Sequence, residues 1–179
     1  MRLLFSTEEI REKVEDLASQ IRGDYQGKKP LLVGLLKGSF VFLADLMRAL
    51  DQPLEVDFVR LSSYGHGTES SGRVRVLHGL KTPVRGRDVL VVEDIVDTGH
   101  TLSYFLESLA RRRPASLRVC TLLDKPCRRC VPVTIHYRGF TVEDVFVVGY
   151  GIDWAEEFRY LPAIYALEKA ECASKTSSP

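Results

Sequence analysis

The chain has 179 residues, 45% of them hydrophobic and 27% charged, with a formal net charge of +1. That length suits one domain with a sizeable core and is short for two, and the near-neutral balance supplies no global attraction to nucleic acid or to an acidic membrane. No stretch reaches the roughly 18 uninterrupted apolar residues of a membrane helix, so the expectation is a soluble, cytoplasmic protein with no membrane partner.

In chain order, the first predicted element is a helix in "STEEIREKVEDLASQIRG". Ser6 is its N-cap with Glu9 three residues on, Ile10, Val14, Leu17, Ala18 and Ile21 share one face, and Gly23 is the stop. "PLLVGLLKG" (30–38) is a continuous apolar run closed by Lys-Gly, and helical spacing follows through Phe40, Leu43, Met47 and Leu50. That reads as strand, tight turn, helix. Segment 54–63 alternates as a strand does, "YGHGTESSGR" (64–73) is too polar to pack a core and reads as a mobile loop, and 73–80 returns as the second strand of a hairpin. "DVLVVEDI" (88–95) is the most strand-like run, "VDTGH" is a turn, and "TLSYFLESLARRR" is a helix with Leu102, Phe105, Leu106 and Leu109 facing in. Two more apolar strands are expected at 116–125 and 144–153, segment 155–168 finishes the ordered part, and 171–179 is a disordered tail.

Apolar strands alternating with amphipathic helices imply βαβ units and a largely parallel sheet. Ligands collect beyond the carboxyl ends of such strands, where "LKG", "EDIVDTGHT", "LLDK" and "GYGID" all fall. In the turn "DTGHT" the glycine lets the backbone curl, and the amides of Thr98 to Thr101 with two threonine hydroxyls suit a phosphate monoester over a helix N-terminus. The alternative is a plain capped turn with Asp97 as N-cap. Neither a Walker A loop nor a dinucleotide fingerprint is present. Glu93 and Asp94 beside a phosphate cradle would repel the ligand unless Mg²⁺ or sugar hydroxyls intervene; the alternative is a pair of surface ion pairs with arginines.

Four cysteines (Cys120, Cys127, Cys130, Cys172) are too few and too irregular for a disulfide framework. "CRRC" (127–130) has metal-knuckle spacing, but a zinc site would need Cys120 and His136 to complete it. "RRR" (111–113) at a helix C-terminus is explained by the helix dipole more simply than by RNA binding.

"VVEDIVDTGHTL" (91–102) resembles the signature with which type I phosphoribosyltransferases bind 5-phosphoribosyl-1-pyrophosphate (PRPP). "LLKGSFVFLADL", "RLSSYG", "LLDKP" and "FVVGYGIDWAEEFRYLP" resemble, in order and spacing, the other functional segments of the hypoxanthine-guanine phosphoribosyltransferases. Ser39, where that family often has a second glycine, and His100, at a variable position, are the departures. The resemblance implies an α/β type I phosphoribosyltransferase fold: a mostly parallel twisted sheet flanked by helices, a small hood, and a flexible lid at about 62–73 opened by Ser63 and Tyr64, all within a domain of residues 1–170. It implies transfer of ribose 5-phosphate from PRPP to a 6-oxopurine in purine salvage.

By the same resemblance Glu93 and Asp94 hold the ribose hydroxyls, directly or through Mg²⁺, and Asp97 is the acid/base at N7 of the base. Thr98, Gly99, His100 and Thr101 wrap the 5′-phosphate. Lys37 and Gly38, with a cis peptide between Leu36 and Lys37, face the pyrophosphate together with Arg159, and Asp153 ligates its Mg²⁺. Lys125 donates to O6 of the purine, Phe146 stacks on it, and the Val147 backbone reads its edge. A homodimer or homotetramer is implied by analogy. The rival is the pyrimidine-operon attenuator protein, which binds RNA and retains uracil transferase activity, but its signature usually carries an aromatic residue where this chain has Asp97.

Overall fold

The computed structural model describes residues 1–63 and 74–167. Most of the expected lid, including Tyr64, and the expected tail lie outside the described residues.

The structure departs from expectation at the first residues, where strand β1 (Arg2–Phe5) precedes the helix. Helix α1 (Thr7–Asp24) then forms as its sequence dictates. Ser6 Oγ accepts the Glu9 backbone N–H at 3.2 Å while Glu9 Oε2 accepts the Ser6 N–H at 2.8 Å, so two amides of the first turn are satisfied reciprocally. Its buried residues are Ile10, Val14, Leu17, Ala18 and Ile21, the expected stripe.

Strand β2 (Leu31–Leu36) is buried on both faces and leads through a tight turn into helix α2 (Phe40–Leu50). The inward stripe of α2 differs from expectation: Phe42, Leu43, Leu46 and Leu50 are buried, whereas Phe40 and Met47 are exposed. Strand β3 (Glu55–Ser63) pairs antiparallel with β4 (Val74–His78) as the expected hairpin. Strand β5 (Asp88–Val96), helix α3 (His100–Ala110) and strand β6 (Ser116–Asp124) follow, with Leu102, Phe105 and Leu109 turned inward from α3. A 3-10 turn (Pro126–Arg128) and an unexpected strand, β7 (Tyr137–Thr141), complete the main sheet.

That sheet has the order β4-β3-β2-β5-β6-β7 and is parallel except for the β3–β4 edge. The two helices α1 and α2 pack on one face and α3 on the other, giving two apolar cores, one on each side. The strand expected over 144–153 is shorter. It is β8 (Phe146–Val148), after which positive-φ residues Gly149, Tyr150 and Gly151 turn the chain. β8 leaves the main sheet and joins β1 and β9 (Ile164–Leu167) in a separate antiparallel sheet of order β1-β9-β8. This small sheet is the expected hood, and it borrows strands from the two ends of the described chain. None of the described helices is long and apolar enough to cross a membrane.

Candidate active site

The carboxyl ends of β2, β5 and β6 open toward the hood, and side chains from four chain segments meet there. The tightest junction is at Gly38. A Cβ on that residue would collide with Asp94 Oδ2, and one on Gly151 (φ 96°) would lie 2.6 Å from the Gly38 carbonyl oxygen. Gly38 thus abuts the Asp94 carboxylate and Gly151 the Gly38 backbone, which brings the loop after β2, the end of β5 and the turn after β8 together. The peptide bond between Leu36 and Lys37 is cis.

Glu93 and Asp94 lie side by side near the end of β5, partly exposed as residues. Glu93 Oε2 is shut off from solvent and has no hydrogen-bond partner, and neither acid forms an ion pair among the described residues. Burial, then the adjoining Asp94 carboxylate, push the Glu93 carboxyl well above its usual range. Burial also raises Asp94, opposed by hydrogen bonds and by the charge of Arg159. The alternative of arginine-paired surface acids therefore fails. Two crowded carboxylates with an orphan oxygen are short of positive charge, and a divalent cation fits that deficit. Mg²⁺ usually takes one or two carboxylates plus substrate oxygens. Among the described residues no three His, Cys, Asp or Glu side chains gather as a metal cluster. The "CRRC" zinc alternative accordingly finds no ligand set there, with Cys120 in the core and His136 Nδ1 accepting the Val119 N–H at 3.1 Å.

The turn after β5 meets α3 at Gly99 (φ 88°), which is the N-cap residue, and no side chain caps this helix end. Asp97 is not the N-cap. The amides at the start of α3 thus have no side-chain cap, which is compatible with the expected roles of Thr98, Gly99, His100 and Thr101. What holds the turn is the segment past Lys125, whose sequence suggests only the "CRRC" metal knuckle. The N–H groups of Cys130 and Val131 donate to the Thr98 carbonyl at 2.9 and 3.0 Å. Arg129 donates from Nε to the Asp97 carbonyl at 3.0 Å and from Nη2 to the Val96 carbonyl at 3.2 Å, and it is paired with the buried carboxylate of Asp124, which Arg138 also holds. Arg128 Nε reaches Asp97 Oδ1 at 3.2 Å and Asp144 Oδ1 at 3.6 Å. The signal was present in "DKPCRR", since an acid ending a buried strand needs a cation nearby.

Lys125 is 7% exposed, and its Nζ donates to the Val145 carbonyl at 2.5 Å. Burial lowers its ammonium pKa, while Asp97 and Asp144 pull the other way. Phe146, 45% exposed, stands edge-on to Trp154 with ring centroids 4.7 Å apart, so it is a cleft wall and not core. Val147, next along β8, is buried and pairs with Ala166. Arg159 donates to the Gly151 carbonyl at 2.8 Å and lies 2.6 Å from Asp153 Oδ1, which makes Asp153 a partner of arginine in this structure. Lys37 Nζ lies 2.6 Å from Glu156 Oε1. Ser63 closes β3 opposite Val74. Trp154 and Glu156 also stand at this site without a sequence signal of their own, and Arg128 and Arg129, legible in the sequence only as part of the "CRRC" knuckle, are placed here by their contacts.

Residues 4–154 match the model of the phosphoribosyl transferase domain. The chain is 47% identical over 169 residues to the hypoxanthine-guanine phosphoribosyltransferase of Bacillus subtilis, covering 94% of each chain. It is 46% identical over 167 residues to the bifunctional protein TilS/HprT of Listeria innocua, covering 93% of this chain but spanning only 26% of that protein's length. The crystal structure of a hypoxanthine phosphoribosyltransferase from Staphylococcus aureus superposes with a TM-score of 0.91 at 41% identity, over 99% of this chain and 94% of the other. With the fold, the uncapped turn and the acid pair in place, these matches establish that the chain belongs to the type I phosphoribosyltransferase family, among its hypoxanthine-guanine members.

Proposed function

We propose that the chain transfers ribose 5-phosphate from PRPP to the imidazole nitrogen of hypoxanthine or guanine, giving IMP or GMP and pyrophosphate, in a Mg²⁺-dependent reaction. The observation that carries this reading is the placement of an unpaired acid pair between an uncapped helix N-terminus on one side and the Gly38–Gly151 backbone junction on the other. A phosphorylated sugar with a cationic transition state matches that field.

Glu93 and Asp94 bind the ribose hydroxyls and favour positive charge as the bond from C1′ to the pyrophosphate oxygen breaks. The start of α3 and the amides and hydroxyls of Thr98 to Thr101 fix the 5′-phosphate. Lys37, the Gly38 backbone and Arg159 receive charge on the departing pyrophosphate. Glu93 and Asp94 on the ribose side and Asp153 on the pyrophosphate side would hold Mg²⁺, which would supply further neutralisation of that charge. Asp97 accepts the proton from N7 as the other imidazole nitrogen bonds to C1′. Lys125 donates to O6, a contact that the amino group of adenine cannot reciprocate, and Phe146 stacks on the ring. The lid begun by Ser63 and Tyr64 excludes water from the sugar cation. PRPP and nucleotides are highly charged metabolites, so a cytoplasmic location belongs to the proposal, as does assembly into a homodimer or homotetramer.

Absorbance assays with PRPP, Mg²⁺ and each of hypoxanthine, guanine, xanthine, adenine and uracil test the reading. Turnover of 6-oxopurines with adenine and uracil inert is expected, and turnover of uracil alone overturns it in favour of the attenuator relative. Mg²⁺ alone should raise the melting temperature of the wild type and not that of a Glu93→Gln, Asp94→Asn double variant.

A further inference from the structure

The two cations assigned above to pyrophosphate converge on a single carboxylate. Lys37 Nζ is 2.6 Å from Glu156 Oε1, and Arg159 Nη2 is 3.4 Å from Glu156 Oε2. Lys37 follows β2 and Arg159 follows the hood strand β8, so Glu156 bridges the two sides of the cleft with one oxygen toward each. Its backbone is fixed in place, with φ 64° and an N–H donated to Asp153 Oδ2 at 2.9 Å. Arg159 is held independently by Asp153 and by the Gly151 carbonyl. The Glu156 side chain is 67% exposed, so water can replace its partners at little expense. The hydrogen bond from Lys37 is the main cause that holds its carboxyl below the usual range.

We propose that Glu156 is a built-in competitor for the pyrophosphate group, its carboxylate neutralising Lys37 and Arg159 until a diphosphate displaces it, and returning to help expel the product. This inference rests on the assignment of Lys37 and Arg159 to pyrophosphate. The chemistry is simple exchange of one anion for another. A bidentate carboxylate offers the same two cations a weaker and singly charged partner than diphosphate, so substrate wins, but with part of its affinity cancelled. The residue keeps the site electroneutral and prevents product from holding too tightly.

Calorimetric titration of pyrophosphate, with and without Mg²⁺, into wild type, Glu156→Gln, Lys37→Gln and the double variant tests this. Glu156→Gln should tighten pyrophosphate by roughly two- to tenfold, the range set by exposed ion pairs. The gain should shrink in the Lys37→Gln background, because Lys37 is the closer of the two cations that Glu156 neutralises and only the longer Arg159 contact is left. Unchanged or weaker binding in Glu156→Gln overturns the inference, and weakening confined to Mg²⁺-containing buffer identifies Glu156 as a metal ligand instead. If Lys37→Gln itself leaves pyrophosphate binding untouched, the assignment of the pyrophosphate loop fails and takes this inference with it. A Glu156→Gln result without gain, beside a Lys37→Gln result with loss, overturns the inference alone.

Discussion

Glu93→Gln should make the protein more stable and less active, and the stability gain should depend on pH. Glu93 Oε2 is buried without a partner, and burial plus the Asp94 carboxylate raise the carboxyl well above the ordinary value of 4.5. The folded protein therefore holds this proton more tightly than the unfolded chain does. The stabilisation that goes with the bound proton is complete below the unfolded value and is lost as pH rises through the elevated folded value. Each unit of elevation removes about 1.4 kcal/mol once pH exceeds both. A glutamine never ionises, so at pH 8 the variant should gain about 1–3 kcal/mol, the scale of an unsatisfied buried polar group. For a chain of this size that is a rise of roughly 2–10 °C in melting temperature. At pH 4.5 the gain should be small. Melting followed by circular dichroism from pH 4.5 to 8.5 measures the curve, and kcat/KM for PRPP should fall at least about tenfold in the same variant. A difference in melting temperature that is flat across pH, or a variant less stable at pH 8, would refute the reasoning.

Three further substitutions probe the junction, the strap and the base site. Gly38→Ala puts a methyl group into the Asp94 carboxylate, so loop and acid must separate on the order of an ångström; kcat/KM should drop about 100-fold, checked by steady-state kinetics. Arg129→Gln frees the Asp97 and Val96 carbonyls and leaves Asp124, 1% exposed, with Arg138 alone. It should destabilise by about 3 kcal/mol in denaturant titrations and raise the KM for PRPP more than it lowers kcat. Lys125→Gln keeps the fold but loses the cation at O6; kcat/KM for hypoxanthine should fall about 100-fold or more, with a much smaller loss in affinity for PRPP.

Where local chemistry decides structure, the sequence was readable. The capping box at Ser6 and Glu9, the stripe of α1, the strand-turn-helix around "EDIVDTGHT" and the Lys37–Gly38 turn all follow from residues within a few positions of one another. Helix α2 shows the limit of periodicity. In "FVFLADLMRAL" apolar residues cover more than one face, so the stripe through Phe40 and Met47 and the stripe through Phe42 and Leu46 fit equally well, and only packing chooses the second. Strands β1 and β9 are four residues each and find one another across the whole chain, a pairing that no local pattern encodes. The acid pair was legible as charge in the wrong place, but its lack of arginine partners was not. The roles of Arg128 and Arg129 were hidden for the same reason: their partners, Asp97, Asp124 and two carbonyls, are brought to them by the return of the chain after β6.

The hood has an order of construction written into it. Strand β8, which carries Phe146 and Val147, is hydrogen-bonded along its length to β9 alone among the described strands, and β9 is completed only at Leu167. A nascent chain that has emerged as far as residue 145 already contains every strand of the main sheet, the phosphate turn and Lys125, yet lacks the hood strands β8 and β9. The part of the proposed base site carried by Phe146 and Val147 therefore cannot form until the chain has been made as far as Leu167, well after the turn at the start of α3.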